Sequence, residues 1–388
     1  MRARQRDGMS KHPGSGTSRR AFLQHLSLGA AALASGAGLA PGLRAAENAR
    51  AGRKLGVALA GLGGYSTGQL APALRETSLC RLAGVVTGSR AKGERWAQEH
   101  GFPENCIYNY DTMTDIAENP GIDIIYIVTP PGLHAEHTIR AAGTGKHIIC
   151  EKPMAVSVKE CDAMIEACRA AGVKFSIGYR LHYHPIHQEV KRLATGADYG
   201  PFESMNGAFG FRTGRKSWRL TQKLGGGGPL MDVGIYVIQS ACMAAGTTPV
   251  AATARELPKT RPEFFDEVEE TLVFDLEFPG GVHCEGRTSY NESYNRFRAE
   301  SSEGWIEIEP AFSYGGLRAR TSRGPLPASS INQQAAQMDA FAQVILDDGE
   351  SIVPGEMGRR DMQIITAIYE SARHDGRRME IGSGESKV

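Results

Sequence analysis

The stretch 54–68, KLGVALAGLGGYSTG, runs an apolar segment straight into a glycine-rich turn. Few folds accommodate what it begins. From Lys54 to Arg180 four further short apolar runs follow, RLAGVVTG, IDIIYIVTP, KHIICE and KFSIGYR, with helix-like segments between them. Strands apolar at nearly every position need cover on both faces, and their alternation with helices implies a parallel sheet packed on either side. One of those helices is written plainly. Ser157 and Glu160 form a capping box, Val158, Cys161, Ile165 and Cys168 repeat at helical spacing, and Gly172 supplies the stop, predicting a helix over Val158–Ala171.

Within the turn, Gly61, Gly63 and Ser66 occupy the three positions of a GxGxx(G/A) pattern, with Gly64 and Tyr65 between them. Glycines there let the backbone bend sharply and bring its amides close to a pyrophosphate at a helix N-terminus. The pattern follows a strand and opens a helix, which is the context a dinucleotide site requires. The end of the second strand bears on the choice of nucleotide. An NAD site carries a carboxylate there for the ribose 2′-hydroxyl; this chain has Thr87, Gly88, Ser89, Arg90 and Lys92 instead. Hydroxyls and a guanidinium suit a 2′-phosphate, which favours NADP(H) over NAD. The competing reading is that Arg90 and Lys92 only solvate the next helix.

Beyond Tyr183 the pattern changes. A helix near Pro185–Thr195 leads into alternating runs, FESMNGAFGFR, TLVFDLEF, GVHCEGRTSY and RFRAESSEGWIEIEP, with FPGGVH placed as a hairpin turn. Two helices, near Gln333–Leu346 and Gly358–Ala372, close the chain and are expected to pack back toward the first domain. The fold class is therefore α/β: a nucleotide-binding domain over 46–180 and an α+β domain over 181–388 on an open, mostly antiparallel sheet. The run of glycines at 225–228 reads as a flexible loop.

Residues 1–45 stand apart. They hold seven basic side chains (Arg2, Arg4, Arg6, Lys11, Arg19, Arg20 and Arg44) and the single acid Asp7. Arg19 and Arg20, followed by Phe22, Leu23 and a Gly/Ala-rich stretch to Ala40, fit a twin-arginine export signal cleaved near Ala45 or Ala46. The stretch is too short and glycine-rich for a membrane span. Such a leader predicts a periplasmic protein exported folded by the twin-arginine machinery, with its cofactor inside. The rest of the chain carries 37 basic and 42 acidic groups, from totals of 44 and 43 less the leader's seven and one. That balance leaves no basic footprint for nucleic acid. The seven cysteines lack short paired spacing and predict free thiols, with neither a disulfide framework nor a structural metal.

The fourth run ends unusually, in Cys150, Glu151, Lys152 and Pro153. In open α/β sheets ligands bind beyond the carboxyl ends of the strands, so Lys152 is placed to polarise an alcohol or carbonyl, with Glu151 available to orient it. In GGGGPLMDVGIY, Asp232 and Tyr236 stand four residues apart and share a face if Asp232 opens a helix. Tyr236 is then a candidate proton donor and acceptor. GYRLHYHP adds Tyr179, Arg180, His182, Tyr183 and His184, polar groups suited to a polyhydroxylated substrate.

Together GLGGYSTG, TPPGLHAEH, CEKPM and GGGGPLMDVGIY resemble the oxidoreductase family typified by glucose–fructose oxidoreductase and inositol dehydrogenase, and most closely its branch of glucose–fructose and aldose–aldose oxidoreductases. The resemblance implies a Rossmann domain followed by an open-faced sheet that often serves oligomerisation. It implies tightly held NADP(H), with Lys152 and Tyr236 as the catalytic pair and Asp232 as a substrate ligand. Arg180, His182 and Tyr183 are further substrate candidates. Tyr108, Thr129, Pro130, His134, Glu151, Lys152, Arg180, Trp218 and Arg219 join the turn and second-strand residues around the cofactor. Many relatives carry histidine where this chain has Tyr236. The long N-terminal arm of glucose–fructose oxidoreductase has no counterpart, since only residues 46–54 precede the first strand. The expectation is a homo-oligomeric periplasmic enzyme that oxidises an aldose at C1 to a lactone and reduces a second sugar to an alditol. An ordinary sugar or cyclitol dehydrogenase with dissociable NAD(P), a sugar-binding sensor and an NAD-using glycosidase are its rivals.

Overall fold

A computed structural model describes residues 52–195 and 198–382; residues 1–45, expected to be a twin-arginine leader, lie outside the described residues. The first half forms a six-stranded, all-parallel sheet in the order β3-β2-β1-β4-β5-β6. Its strands are β1 (Leu55–Ala60), β2 (Cys80–Val86), β3 (Ile107–Tyr108), β4 (Ile124–Ile127), β5 (His147–Cys150) and β6 (Phe175–Ile177). Every residue of β1, β4 and β5 is buried, as continuous apolar runs demand. Helices α1 (Ala71–Glu76), α2 (Arg90–His100), α3 (His134–Ala142) and α4 (Val158–Ala170) connect them. Strand order reverses between β1 and β4, which opens a crevice at their carboxyl ends. As the sequence indicates, Ser157 Oγ accepts from Glu160 N at the start of α4.

Helix α5 (Pro185–Leu193) leads to a nine-stranded sheet in the order β14-β13-β12-β11-β7-β10-β9-β8-β15. Its strands are β7 (Ser204–Gly210), β8 (Ala251–Glu256), β9 (Thr271–Glu277), β10 (His283–Ser289), β11 (Tyr294–Ser301), β12 (Gly304–Ile308), β13 (Ala319–Thr321), β14 (Gly324–Pro325) and β15 (Met379–Glu380). Strands β7 and β10 pair in parallel, while the other neighbours run antiparallel. The run RFRAESSEGWIEIEP is a hairpin of β11 and β12 rather than one strand, because Ser301 Oγ accepts from the amides of Glu303 and Gly304 and closes a turn. Period-two alternation buries Met205, Leu272, Leu276, Cys284, Phe297 and Ala299 on one face. The short α6 (Gln222–Gly225) and α7 (Ile235–Ala245) follow β7 in the chain, and α7 packs on the sheet. The opposite face carries Asn206, Asp275, Glu285, Arg296 and Arg298.

Helices α8 (Gln333–Leu346) and α9 (Gly355–Arg373) fasten the two halves. Asp339 on α8 accepts from the amides of Ser78 and Leu79 at 2.7 and 2.8 Å, and α9 packs between α4 and β8. Helix α9 begins three residues earlier than the sequence pattern indicates, directly after Pro354. The largest correction concerns residues 225–228, which are buried and tightly held. Gly227 lies at φ +157°, and a Cβ there would stand 2.1 Å from Tyr369 Oη. Glu269 accepts from the amides of Gly228 and Leu230, so composition suggests flexibility that packing removes.

Candidate active site

The glycine-rich turn leaves β1 through Gly61, at φ +108°, where a Cβ would press on Val128 O at 2.9 Å. Ser66 Oγ donates to Gly61 O at 2.5 Å and staples the turn across its base, a task an alanine at this position would leave undone. Above Gly63 and Gly64 there is open space within 4 Å of an added Cβ. A π-helical turn, Ser66–Leu70, then leads into α1. The cradle fits a dinucleotide: its backbone approaches freely where a pyrophosphate would lie.

At the end of β2, Thr87 Oγ1 accepts from Ser89 N, and Ser89 Oγ caps α2 by accepting from Lys92 N. Lys92 Nζ reaches back to Leu62 O at 3.2 Å, so this cation is drawn over the glycine-rich turn. Arg90 is exposed and paired with Glu94 (2.9 Å) and Glu104 (3.2 Å). The edge of Tyr110 lies 3.8 Å from a Cβ built on Gly88, and its ring stacks on His137 with centroids 4.8 Å apart. No carboxylate side chain stands at the end of β2, where Thr87, Gly88 and Ser89 follow Val86.

The other end of the cleft is buried and densely charged. Lys152 follows β5 with its side chain 11% exposed. Its Nζ donates to Asp232 O (2.6 Å) and Oδ1 (3.3 Å), and it sits 4.7 Å from the centroid of the Tyr236 ring. Asp232 Oδ2 accepts from Arg219 Nε at 3.1 Å and from Tyr290 Oη at 2.9 Å. Burial would raise the Asp232 carboxyl, but Lys152, Arg219 and the Tyr290 hydroxyl bring it down to about 2. Burial would likewise depress the Lys152 ammonium; Tyr236, Asp232 and Glu151 outweigh it and hold the group above the ordinary lysine range. Both charges are fixed. Asp232 lies in a second π-helical turn, Leu230–Gly234, which runs into α7 and brings Tyr236 to the same cleft. π-Turns recur at functional sites because they re-aim side chains within a helix.

Glu151 takes another part from the one its position suggests. Its Oε1 accepts from Tyr126 Oη at 2.7 Å and its Oε2 from the Lys152 amide at 3.2 Å, so it braces the backbone while Asp232 holds the ammonium. Burial raises its carboxyl. Thr129, His134, Trp218 and Arg219 line the cleft with Tyr65, and Pro130 immediately precedes the lining Pro131. His134 is clasped between Thr129 O (2.7 Å) and Pro153 O (2.9 Å), tying the loop after β4 to the loop after β5.

Other candidates lie elsewhere. Arg180 is 2% exposed and gives its guanidinium to Gln333, Phe312 O and Ser313 O, stacking 4.8 Å from the Tyr236 ring beneath the cleft. His182 turns away to Gln239 at 2.5 Å, and Tyr183 is buried beside Ser176 and Ser351. Neither lines the cleft, because the 3₁₀ turn 180–183 sends successive side chains in different directions. Tyr108 is also buried, its hydroxyl accepting from Asn119 Nδ2 at 2.9 Å. Tyr290 and Tyr314, which do line the cleft, carry no local motif that would mark them. Among the described residues no cluster of three or more metal-ligating side chains occurs, and no helix is long and apolar enough to cross a membrane.

Comparison with known proteins defines the class. Residues 55–179 match an oxidoreductase family with an NAD-binding Rossmann fold, and residues 187–307 match the GFO/IDH/MocA C-terminal domain. The chain belongs to this family of oxidoreductases. A solved structure, aldose-aldose oxidoreductase from Caulobacter crescentus complexed with glycerol, is 40% identical, covers 84% of this chain and all of its own, and superposes with a TM-score of 0.82. The D-xylose 1-dehydrogenase [NADP(+)] of Haloarcula marismortui is 29% identical over 81% of this chain and 90% of its own length. The 1,5-anhydro-D-fructose reductase of Ensifer adhaerens is 23% identical over 77% and 91%.

Proposed function

We propose that this chain is an NADP(H)-dependent aldose oxidoreductase that oxidises a sugar at C1 to a lactone and passes the hydride to a second sugar, released as an alditol. The observation that carries the reading is the convergence of Lys152, Asp232 and Tyr236 in one cleft beside the glycine-rich turn. The similarity to an aldose-aldose oxidoreductase and to an NADP(+)-dependent xylose dehydrogenase supports it. The absence of a carboxylate after β2, with Ser89, Arg90 and Lys92 in its place, supports NADP(H) over NAD.

Bound in the cleft, the nicotinamide would accept or return a hydride. The side chains manage the proton and the charge. In oxidation, Tyr236 acting as its phenolate takes the proton of the C1 hydroxyl and becomes the phenol, the C1–H electron pair leaves as hydride to the nicotinamide, and the C1–O bond becomes the lactone carbonyl. The Lys152 ammonium, immobilised by Asp232, stabilises negative charge developing on that oxygen without having to reorganise. In reduction of the second sugar, Tyr236 returns the proton to the incipient alkoxide. Asp232, Arg219 and Tyr290 offer acceptor and donor groups for neighbouring hydroxyls.

The proposed setting is the periplasm, reached by the twin-arginine route, where little free NADP is available for exchange. The uncovered, charged face of the nine-stranded sheet supports assembly with further copies of the chain. The match to a xylose dehydrogenase favours a second reading, an ordinary dehydrogenase whose cofactor dissociates. Adding glucose to purified protein without cofactor separates the two. A reduced-nicotinamide band that rises with glucose and falls with a second sugar supports the cycle; activity only on adding NADP supports the dehydrogenase.

A further inference from the structure

The segment between β12 and β13 brings a half-exposed aromatic ring, that of Tyr314, into the lining of the cleft. Its backbone is anchored: Phe312 N donates to Asn295 Oδ1 at 2.7 Å, Phe312 O and Ser313 O accept from Arg180, and Tyr314 O accepts from Gln333 Nε2 at 3.1 Å. Immediately afterwards come Gly315 and Gly316, the latter at φ +71°. Tyr314 itself is 47% exposed, the kind of position at which a large ring gains little from burial. Its contacts lie elsewhere. Its ring lies 4.7 Å from the Arg180 guanidinium and meets Tyr65 of the glycine-rich turn with centroids 5.8 Å apart. Arg180 is thus sandwiched between Tyr236 and Tyr314. The result is a chain of contacts from the glycine-rich turn through Tyr314 and Arg180 to the ring of Tyr236.

We infer that Tyr314 is a positioning residue that closes the cleft over the dinucleotide and sets how slowly it leaves. This rests on the proposed NADP(H) site. Release would require the ring to part from both Tyr65 and Arg180. Losing one aromatic pair and one cation–π contact corresponds to a rise in release rate of roughly ten- to a hundredfold.

The full chain is loaded with NADPH and chased with excess NADP in a stopped-flow instrument, following fluorescence of the bound reduced nucleotide. Tyr314→Ala is expected to release NADPH faster by that factor, and Tyr314→Phe, which keeps the ring, to release it at the wild-type rate. Tyr314→Leu keeps apolar bulk without a ring and serves if the alanine variant fails to fold; it is expected to release fast as well. Wild-type release from folded Tyr314→Ala or Tyr314→Leu overturns the inference. So does fast release from Tyr314→Phe, which would put the effect in the hydroxyl. A wild-type chain that binds no NADPH overturns the cofactor assignment instead, and the two failures are therefore distinct.

Discussion

The two ends of the nucleotide cleft are built on opposite terms. Around Lys152 the charged groups lie partly enclosed and answer one another: the ammonium is met by Asp232, and Asp232 in turn by Arg219 and Tyr290. At the end of β2, Arg90 is exposed and shared between Glu94 and Glu104, and Ser89 is occupied in capping a helix. The first end holds a fixed arrangement of charge, as proton transfer requires. Under the proposed NADP(H) site, the second exchanges Arg90's present partners for a ligand, and pairs of that kind hold each other weakly in water. On the function proposed above, chemistry is preorganised at one end, and selectivity at the other is left adjustable.

That contrast can be broken at either end. Tyr236→Phe removes the proton carrier and should lower kcat by about 10²- to 10⁴-fold, while NADPH affinity, read by fluorescence, stays within a few-fold. Asp232→Asn takes the carboxylate charge away from Lys152, whose ammonium keeps its bond to the backbone oxygen of residue 232, and exchanges one acceptor oxygen for an amide donor. We expect kcat/KM for the aldose to fall by about tenfold or more, with cofactor affinity again little changed. At the open end, Arg90→Ala should cost about tenfold in the preference for NADP over NAD, measured as a ratio of kcat/KM, and leave kcat with NADP unaltered. A cost to kcat from Arg90→Ala would erase the distinction between the ends.

The smallest effect concerns acid stability. Burial holds His182 at about 4 and His187 at about 3, below the ordinary 6.5, so these rings remain neutral in the folded chain while the unfolded chain binds protons. Stability therefore rises with pH through this window. On acidification it falls from about pH 6.5, by up to ~1.4 kcal/mol per group per pH unit, until each folded ring titrates in turn. Thermal melts between neutral pH and pH 4 check the sign; a melting temperature that climbs on acidification contradicts it.

Much of the first half is legible in the sequence, because buried parallel strands and a glycine-rich turn leave local signatures. Ser66, which donates to Gly61, and the capping box of α4 each work within a few residues of themselves. Lys152 is legible for a related reason: a charge ending an apolar strand needs an explanation. The second half gives less away. Asp232 meets Lys152 from eighty positions along the chain, and Tyr290 meets Asp232 from fifty-eight. No spacing rule reaches so far. His182 and Tyr183 share a polar stretch with Arg180, yet the turn sends them into the protein interior, and composition carries no information about direction. The glycines at 225–228 mislead similarly, since their small size serves close packing against Tyr369 and Glu269.

The most direct test of the account is the reduced-nicotinamide absorbance of the wild-type chain and of Tyr236→Phe, each mixed with NADP and an aldose. The band is expected to grow in the wild type and to stay flat in the variant, although both proteins bind NADPH. Growth of the band at a comparable rate in Tyr236→Phe would contradict it, and would remove Tyr236 and its pairing with Lys152 from the chemistry.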